Sequence, residues 1–191
     1  MFDLTDRSAF LKMALLFEGG LVLVAWVVGY CLGIDPLRTF SFDAGAIFWG
    51  VAGALPIFVL FLLSQRYPIG PFRAIKDFLI EALGPSLVHC RWYDLLLVSA
   101  VAGLSEEMMF RGVLQPQLGL IGSNVLFGLA HIVTPMYAVL AGVVGSYLGW
   151  MFNESGNLLA PIITHGLYDF LAFMVLTREC RKIRYDKALG D

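Results

Sequence analysis

Six ionisable side chains occur inside strongly apolar stretches of the second half of the chain, and they are the residues best suited to chemistry. They are Glu106, Glu107, Arg111, His131, His165 and Asp169. An ionisable side chain in the middle of a bilayer costs at least about 2.5–3.5 kcal/mol on insertion scales, so such groups mark functional sites by default. Their grouping predicts an active or transport site within a membrane.

The spacing of these residues indicates which of them pair. Glu107 and Arg111 are four residues apart, so on a helix they share a face and can form an ion pair. This leaves Glu106 without a partner nearby in sequence, as a carboxyl group that can take a proton from water and return it. His165 and Asp169 also share a helix face. With His131, these residues are the groups needed to activate a water molecule and stabilise an oxyanion.

Several of these residues also have a purely structural interpretation. Buried charges are normally paired, so Glu107 and Arg111 are favoured as a structural ion pair. His131 taken alone, or His165 with Asp169, would serve equally well as hydrogen-bonded core groups. Their occurrence together in three neighbouring helices favours a functional interpretation, because each buried ionisable group adds its own free-energy cost.

The composition predicts the elements that must position these residues. Of 191 residues, 59% are hydrophobic and 15% are charged, against about 25% charged in soluble domains. A membrane-spanning helix needs about 20 mostly apolar residues. Such stretches, some of them shorter, lie at residues 9–34, 44–64, 94–114, 119–134, 137–152 and 158–176. We therefore expect an all-α, polytopic membrane helix bundle of about six transmembrane helices.

The polar stretch at residues 65–91 carries a different pattern. Its apolar residues recur at helical spacing between charged ones: Phe72, Ile75, Phe78, Leu79 and Leu83. The pattern is typical of an amphipathic helix in the membrane interface, or equally of a short helix packed on the protein. Glu18, in the first apolar stretch, has no evident partner and would reach either the interface or a cavity.

The chain is predicted to form a single membrane domain over residues 1–191. Residues 9–93 hold the N-terminal helices and the interfacial segment, 94–176 the core with the ionisable groups, and 177–191 a basic tail. Lys and Arg residues concentrate at the N-terminal end, in 65–91 and in the tail, which predicts that both termini are cytoplasmic. The net charge of −2 argues against nucleic acid as a partner.

Three short motifs connect these residues to a known family. Residues 106–111 fit EExxxR, residues 127–131 fit FxxxH, and residues 165–169 fit HxxxN/D. In this order and at these spacings, residues 94–173 resemble the CPBP family of intramembrane endopeptidases, also called the Abi family. That family includes the type II CAAX prenyl proteases.

The resemblance implies hydrolysis of a peptide bond in a membrane-associated or lipidated protein or peptide. It implies that Glu106 and His131 activate the attacking water and that His165 and Asp169 stabilise the oxyanion. The residues that would support this site structurally are Glu107, Arg111 and Phe127. Asp169 can donate a hydrogen bond only when protonated, so its alternative role is to orient His165.

The sequence leaves metal dependence open between two interpretations. Members of the family are often labelled metalloproteases, and Glu106, His131 and His165 could form a three-ligand zinc site with an open position. The HExxH pattern of zinc peptidases does not occur. The interpretation we favour is a glutamate-dependent hydrolase without a cofactor.

Two other functions are compatible with the same residues. A non-enzymatic membrane scaffold or bacteriocin-immunity protein would share the fold, since relatives in the family have been assigned such roles. A small transporter could use the buried carboxylates as a proton relay. The sequence shows no repeated half, which argues mildly against the transporter.

Overall fold

Helices make up nearly all of the described chain, residues 6–190, in the computed structural model. The elements are α1 (Arg7–Leu32), α2 (Ala44–Arg66), α3 (Pro71–Leu87), α4 (Trp92–Glu107), a π-helical segment (Met108–Leu114), α5 (Gln115–Ala130), α6 (Pro135–Ser155) and α7 (Leu159–Gly190). No strand occurs within that range. The prediction of an all-α membrane helix bundle is confirmed.

The helices begin and end where the local sequence dictates. Asp43 and Thr134 cap the N-termini of α2 and α6, because their side chains accept hydrogen bonds from the backbone N–H groups of Ala46 (2.8 Å) and Tyr137 (3.1 Å). Gly156 ends α6 in the left-handed conformation, at φ 62°. These caps determine where the helices end and the short connections between them begin.

Five helical stretches of the described chain are long and apolar enough to cross a membrane. They are Arg7–Leu32, Ala44–Arg66, Trp92–Ala130, Pro135–Ser155 and Leu159–Asp186. The third contains 39 residues and unites two segments that the sequence predicts separately, 94–114 and 119–134. Its two parts are nevertheless distinct in space.

Gly119 is the point at which this long stretch reverses. Its backbone has φ 69° and ψ 176°, which is not helical and suits glycine. Beyond it, the Ser123 hydroxyl donates a hydrogen bond of 2.9 Å to the Phe110 carbonyl. In a continuous helix, residues 13 apart would be about 20 Å apart. Therefore α5 folds back beside the π-helical segment, as an arm too short to be a full span.

Both ends of the described chain lie at the same end of the bundle. Arg7, at the start of α1, forms an ion pair of 2.5 Å with Asp94 at the start of α4. Lys76 of α3 forms one of 2.5 Å with Glu179 in the second half of α7. The segment predicted as a basic tail continues α7 as helix, so this helix reaches beyond the core to meet α3.

The helix predicted in residues 65–91 is α3. It packs against α7 and α2, and its apolar face includes the buried Ile75 and Leu87. This helix therefore packs on the protein, and exposed residues such as Phe78 lie on its outer surface. This position closes one side of a cavity described below.

Close contact between α4 and α7 depends on glycine. A Cβ atom built on Gly103 would lie 2.8 Å from the Gly166 nitrogen and 2.9 Å from the Ile162 carbonyl oxygen. Both neighbours are backbone atoms that cannot rotate away. The two helices that carry Glu106 and His165 therefore approach each other at a position that admits no side chain.

We expect Gly103→Ala to destabilise the protein by about 1–3 kcal/mol, the usual cost of overpacking, and to reduce activity by separating the two helices. Gly19→Ala is the matched control, since nothing lies within 4 Å of a Cβ at this position in α1. Unfolding in detergent monitored by circular dichroism would measure both. Equal stability of the two variants would contradict the close-contact argument.

Candidate active site

The four residues predicted to be catalytic come together from three helices. Glu106 lies near the end of α4, His131 directly follows α5, and His165 and Asp169 lie on α7. Glu106 Oε2 is 3.5 Å from His131 Nε2 and 4.0 Å from His165 Nε2. His165 Nε2 is 3.5 Å from Asp169 Oδ2. Side chains up to 63 residues apart thus form one cluster around Glu106.

The orientation of His131 is set by Phe127, four residues earlier. His131 Nδ1 lies 2.8 Å from the Phe127 carbonyl oxygen. Because a carbonyl can only accept, Nδ1 carries the proton, and a neutral imidazole keeps its Nε2 lone pair to accept a hydrogen bond from a water. The Phe127 ring stacks on the imidazole at 4.5 Å between centroids. The FxxxH spacing therefore positions the ring by one hydrogen bond and one stacking contact.

The orientation of His165 is set by Glu107. His165 Nδ1 donates to Glu107 Oε1 at 2.8 Å, and the same oxygen accepts from Arg111 Nη1 at 3.0 Å. The side chains of Glu107 and Arg111 are both fully buried, at 0% exposure. The predicted Glu107–Arg111 pair is thus present in the structure, but it has a third member. The separation of 58 positions between Glu107 and His165 explains why spacing alone could not find it.

Arg111 links the remaining elements of the site. Its Nη2 donates to Asn124 Oδ1 at 3.2 Å and to the Gly145 carbonyl at 2.5 Å. Its guanidinium carbon also lies 4.8 Å from the centroid of the Phe127 ring. The Arg111 side chain therefore holds α5 and α6 against the π-helical segment. Asn124 was missed by the sequence reasoning, although a buried amide in an apolar stretch is a usable signal.

The π-helical segment follows directly after the two motif glutamates. π-Helical turns are rare and occur often at functional sites. The segment carries Arg111, and at Gly112 a Cβ atom would lie only 2.2 Å from the Pro36 carbonyl oxygen. The wider turn thus brings backbone against the α1–α2 connection. Nothing in the residue pattern predicted it.

Glu18 is directed into the protein and not to the membrane interface. The Ser105 hydroxyl donates a hydrogen bond of 2.5 Å to Glu18 Oε2, and both residues are buried. Ser105 immediately precedes Glu106, so α1 contacts α4 beside the site. The sequence alone did not decide whether Glu18 reaches the membrane interface or a cavity.

A cavity of about 870 Å³ runs from the cluster to the start of α3. Its polar end is lined by Glu106, His131, His165, Asp169, Tyr137 and Tyr168. Its other walls are apolar side chains of α2 and α3, including Leu60, Phe61, Phe72, Ile75 and Leu79. An apolar cleft with a few convergent polar groups is the usual form of a substrate site.

The sequence reasoning missed the tyrosines of this cavity. Tyr137 follows His131 by six residues and Tyr168 directly precedes Asp169, which was the available signal. The Tyr137 ring centroid lies 6.4 Å from that of His131. A third lining residue, Tyr147, donates its hydroxyl to the Gly53 carbonyl at 3.2 Å and thereby joins α6 to α2.

One of the distances between the residues suggested as zinc ligands is longer than the spacing of ligands around a zinc ion. Ligand atoms at about 2.0–2.2 Å from a tetrahedral zinc lie about 3.3–3.5 Å apart. Glu106 Oε2 is at 3.5 Å from one histidine nitrogen but 4.0 Å from the other. Among the residues that the structure describes, no group of three or more His, Cys, Asp or Glu side chains is arranged to hold a metal ion.

Comparison with known proteins points to the same part of the chain. Residues 88–171 match the model of the family described as type II CAAX prenyl endopeptidase Rce1-like. The chain is also 26% identical over 97 residues to the uncharacterized protein YpbD of Bacillus subtilis (strain 168), covering 49% of this chain and 51% of that protein.

The chain therefore spans about half the length of the curated relative it matches. No solved structure matches it. The matched segment contains all three motifs, which confirms the resemblance seen in the sequence. Over residues 88–171, this chain is therefore similar to the family described as type II CAAX prenyl endopeptidase Rce1-like.

Proposed function

We propose that this chain is an intramembrane endopeptidase that hydrolyses a peptide bond in a membrane-associated or lipidated protein or peptide. The observation that carries the proposal is the state of Glu106. Its Oε2 atom is buried, has no hydrogen-bond partner among the described residues, and faces His131 Nε2 at 3.5 Å. Leaving a buried carboxylate oxygen unpaired is costly. Glu107 Oε2 is also unpaired, but Glu106 lines the cavity, so its oxygen is placed to act on a bound water.

In this proposal, Glu106 is the general base. A water held between its Oε2 and His131 Nε2 gives a proton to the carboxylate while its oxygen adds to the substrate carbonyl carbon. The carbonyl π electrons move to oxygen and form a tetrahedral oxyanion. When the C–N bond breaks, Glu106 returns the proton to the leaving nitrogen. The carboxyl group ends as it began, and no other reactant is consumed.

His165 is proposed to stabilise the oxyanion. As an imidazolium it donates from both ring nitrogens. Nδ1–H is directed to Glu107 at 2.8 Å, and Nε2–H is then free to donate to the developing oxyanion. Asp169, at 3.5 Å from Nε2, keeps the ring in place. Such preorganised donors act strongly because the site is shielded from water.

The Glu107–Arg111 pair is proposed to hold His165 and not to react. Both side chains are fully buried, and Glu107 is shared between the guanidinium and the imidazole. A buried carboxylate with two donors is fixed in orientation, which in turn fixes the tautomer of His165.

The apolar length of the cavity supports a substrate with an apolar chain that approaches through the membrane. We also propose that the end of the bundle holding both described termini faces the cytoplasm. Arg7, Lys76 and Arg181 lie at that end, and Lys and Arg residues favour the cytoplasmic side. Peptide or lipidated substrates would then enter near α3.

The experiment that tests this proposal is cleavage of a panel of membrane-helix peptides and prenylated peptides by the purified protein in detergent. Wild type and Glu106→Gln are compared, each with and without a strong chelator. We expect cleavage that disappears in Glu106→Gln and persists with chelator. Glu154→Gln is the matched control, because Glu154 is exposed on α6.

The other outcomes reject parts of the proposal separately. Loss of activity with chelator and its return with zinc would make Glu106, His131 and His165 metal ligands. Cleavage by Glu106→Gln at the wild-type rate would reject the assigned base. No cleavage of any peptide, with a cellular phenotype that survives Glu106→Gln, would favour a scaffold or immunity role.

A further inference from the structure

Hydrolysis at this site needs a hydrogen-bond donor that the motif residues supply incompletely. Asp169 is the last residue of the third motif, and an ionised carboxylate accepts hydrogen bonds but cannot donate them. Next to a developing oxyanion, a carboxylate is also unfavourable by charge. Among the motif residues on α7, His165 is thus the available hydrogen-bond donor.

Tyr137, which lies on α6 and lines the same cavity, offers a neutral donor. It lies in the first turn of α6, and its backbone N–H is held by the Thr134 hydroxyl at 3.1 Å. Its ring lies 6.4 Å from that of His131, and it lines the same cavity as Asp169 and Glu106. A phenol carries one O–H donor at neutral pH, whichever carboxylate is charged.

The hydroxyl of Tyr137 is also uncommitted. In the described part of the chain it makes no hydrogen bond to a protein group, whereas the Tyr147 hydroxyl, in the same cavity, is engaged by the Gly53 carbonyl at 3.2 Å. Tyr168 lies on α7 next to Asp169, and so on the same side as His165. Of these three tyrosines, Tyr137 is the one that approaches from α6 with a free hydroxyl and allows the oxyanion to be held from two sides.

We propose that the Tyr137 hydroxyl is a catalytic hydrogen-bond donor to the oxyanion, supplying what Asp169 cannot. This inference rests on the proposed endopeptidase function. The phenol keeps its proton throughout: the O–H donates to the oxyanion while the tetrahedral intermediate exists, and the hydrogen bond weakens when the carbonyl re-forms. No covalent bond to Tyr137 is made or broken.

The test compares Tyr137→Phe with wild type on a peptide that wild type cleaves and Glu106→Gln does not. Removing one oxyanion donor typically lowers kcat by about 10²–10³-fold, and we expect a loss of this order with KM little changed. Tyr30→Phe, on the exposed surface of α1, is the control and keeps the wild-type rate. Tyr168→Phe identifies which tyrosine acts.

A second measurement separates catalysis from structure. A phosphinic analogue of the cleaved peptide carries a tetrahedral anionic centre, so its binding reports on donors that act in the transition state. We expect Tyr137→Phe to weaken inhibition by this analogue by the same factor as it lowers kcat/KM. A variant that was merely misfolded would instead lose substrate binding and thermal stability.

The outcomes are distinct. A wild-type kcat in Tyr137→Phe, a change in KM alone, or unchanged inhibition by the phosphinic peptide would overturn this inference and leave the protease intact. A large loss in Tyr168→Phe with none in Tyr137→Phe would overturn it as well. If wild type shows no Glu106-dependent cleavage, the proposed function itself fails and this inference with it.

Discussion

Glu106→Gln and His131→Ala are each expected to lower kcat for peptide cleavage by about 10³-fold, within the 10²–10⁴-fold range of general acid–base catalysis. Gln keeps the shape of the side chain but cannot take a proton from water. Ala removes the Nε2 atom that lies 3.5 Å from Glu106 and would hold that water. Both losses should appear in kcat with little change in KM, because neither residue is proposed to bind the substrate.

The double variant provides the sharper measurement. If Glu106 and His131 act on the same water, removing the second residue costs little once the first is gone, as for other catalytic groups that act as a unit. We expect Glu106→Gln/His131→Ala to lose less than about tenfold beyond either single variant. Single-turnover kinetics in detergent would measure this. Fully additive losses would show that the two residues act at separate steps.

The sequence was sufficient to find the candidate reacting groups. Glu106, His131, His165 and Asp169 stand out because ionisable side chains are rare and costly in apolar helices. Spacings of four residues also paired Glu107 with Arg111 correctly, since helical geometry alone places residues i and i+4 together. These are local rules, and they remain valid whatever the tertiary arrangement.

The contacts that organise the site could not be found in this way. The bond between Glu107 and His165 and that between Arg111 and Asn124 join residues on different helices. Each depends on how those helices pack. The reversal at Gly119 shows the difficulty, because one positive φ value turns an apparent continuation into an antiparallel arm.

Glu107 contributes both to the stability of the fold and to the proposed active site. It receives hydrogen bonds from Arg111 and from His165 through the same oxygen, Oε1, in surroundings with no exposure to solvent. Arg111 compensates the charge of Glu107, and Glu107 in turn fixes the orientation of His165. A substitution at either end of the pair therefore changes both the folded state and the site, and separate measurements are needed to tell the effects apart.

We expect Arg111→Met to destabilise the protein by about 3–5 kcal/mol, the usual cost of leaving one partner of a buried ion pair uncompensated. Met fills most of the space of the Arg side chain but removes its donors to Glu107, Asn124 and the Gly145 carbonyl. Glu107 would remain fully buried, and the hydrogen bond from His165 would offset only part of the lost interaction with Arg111.

The variant Glu107→Gln/Arg111→Met is expected to recover most of that stability, because replacing both members of a buried pair is often nearly neutral. It should not recover activity, since the neutral amide introduced by Glu107→Gln no longer stabilises the His165 imidazolium. Reversible unfolding in mixed micelles, run beside the cleavage assay, would measure both quantities. If the double variant were as unstable as Arg111→Met, the damage would lie in the lost contacts to α5 and α6. If it were both stable and fully active, the charge of Glu107 would have no part in catalysis.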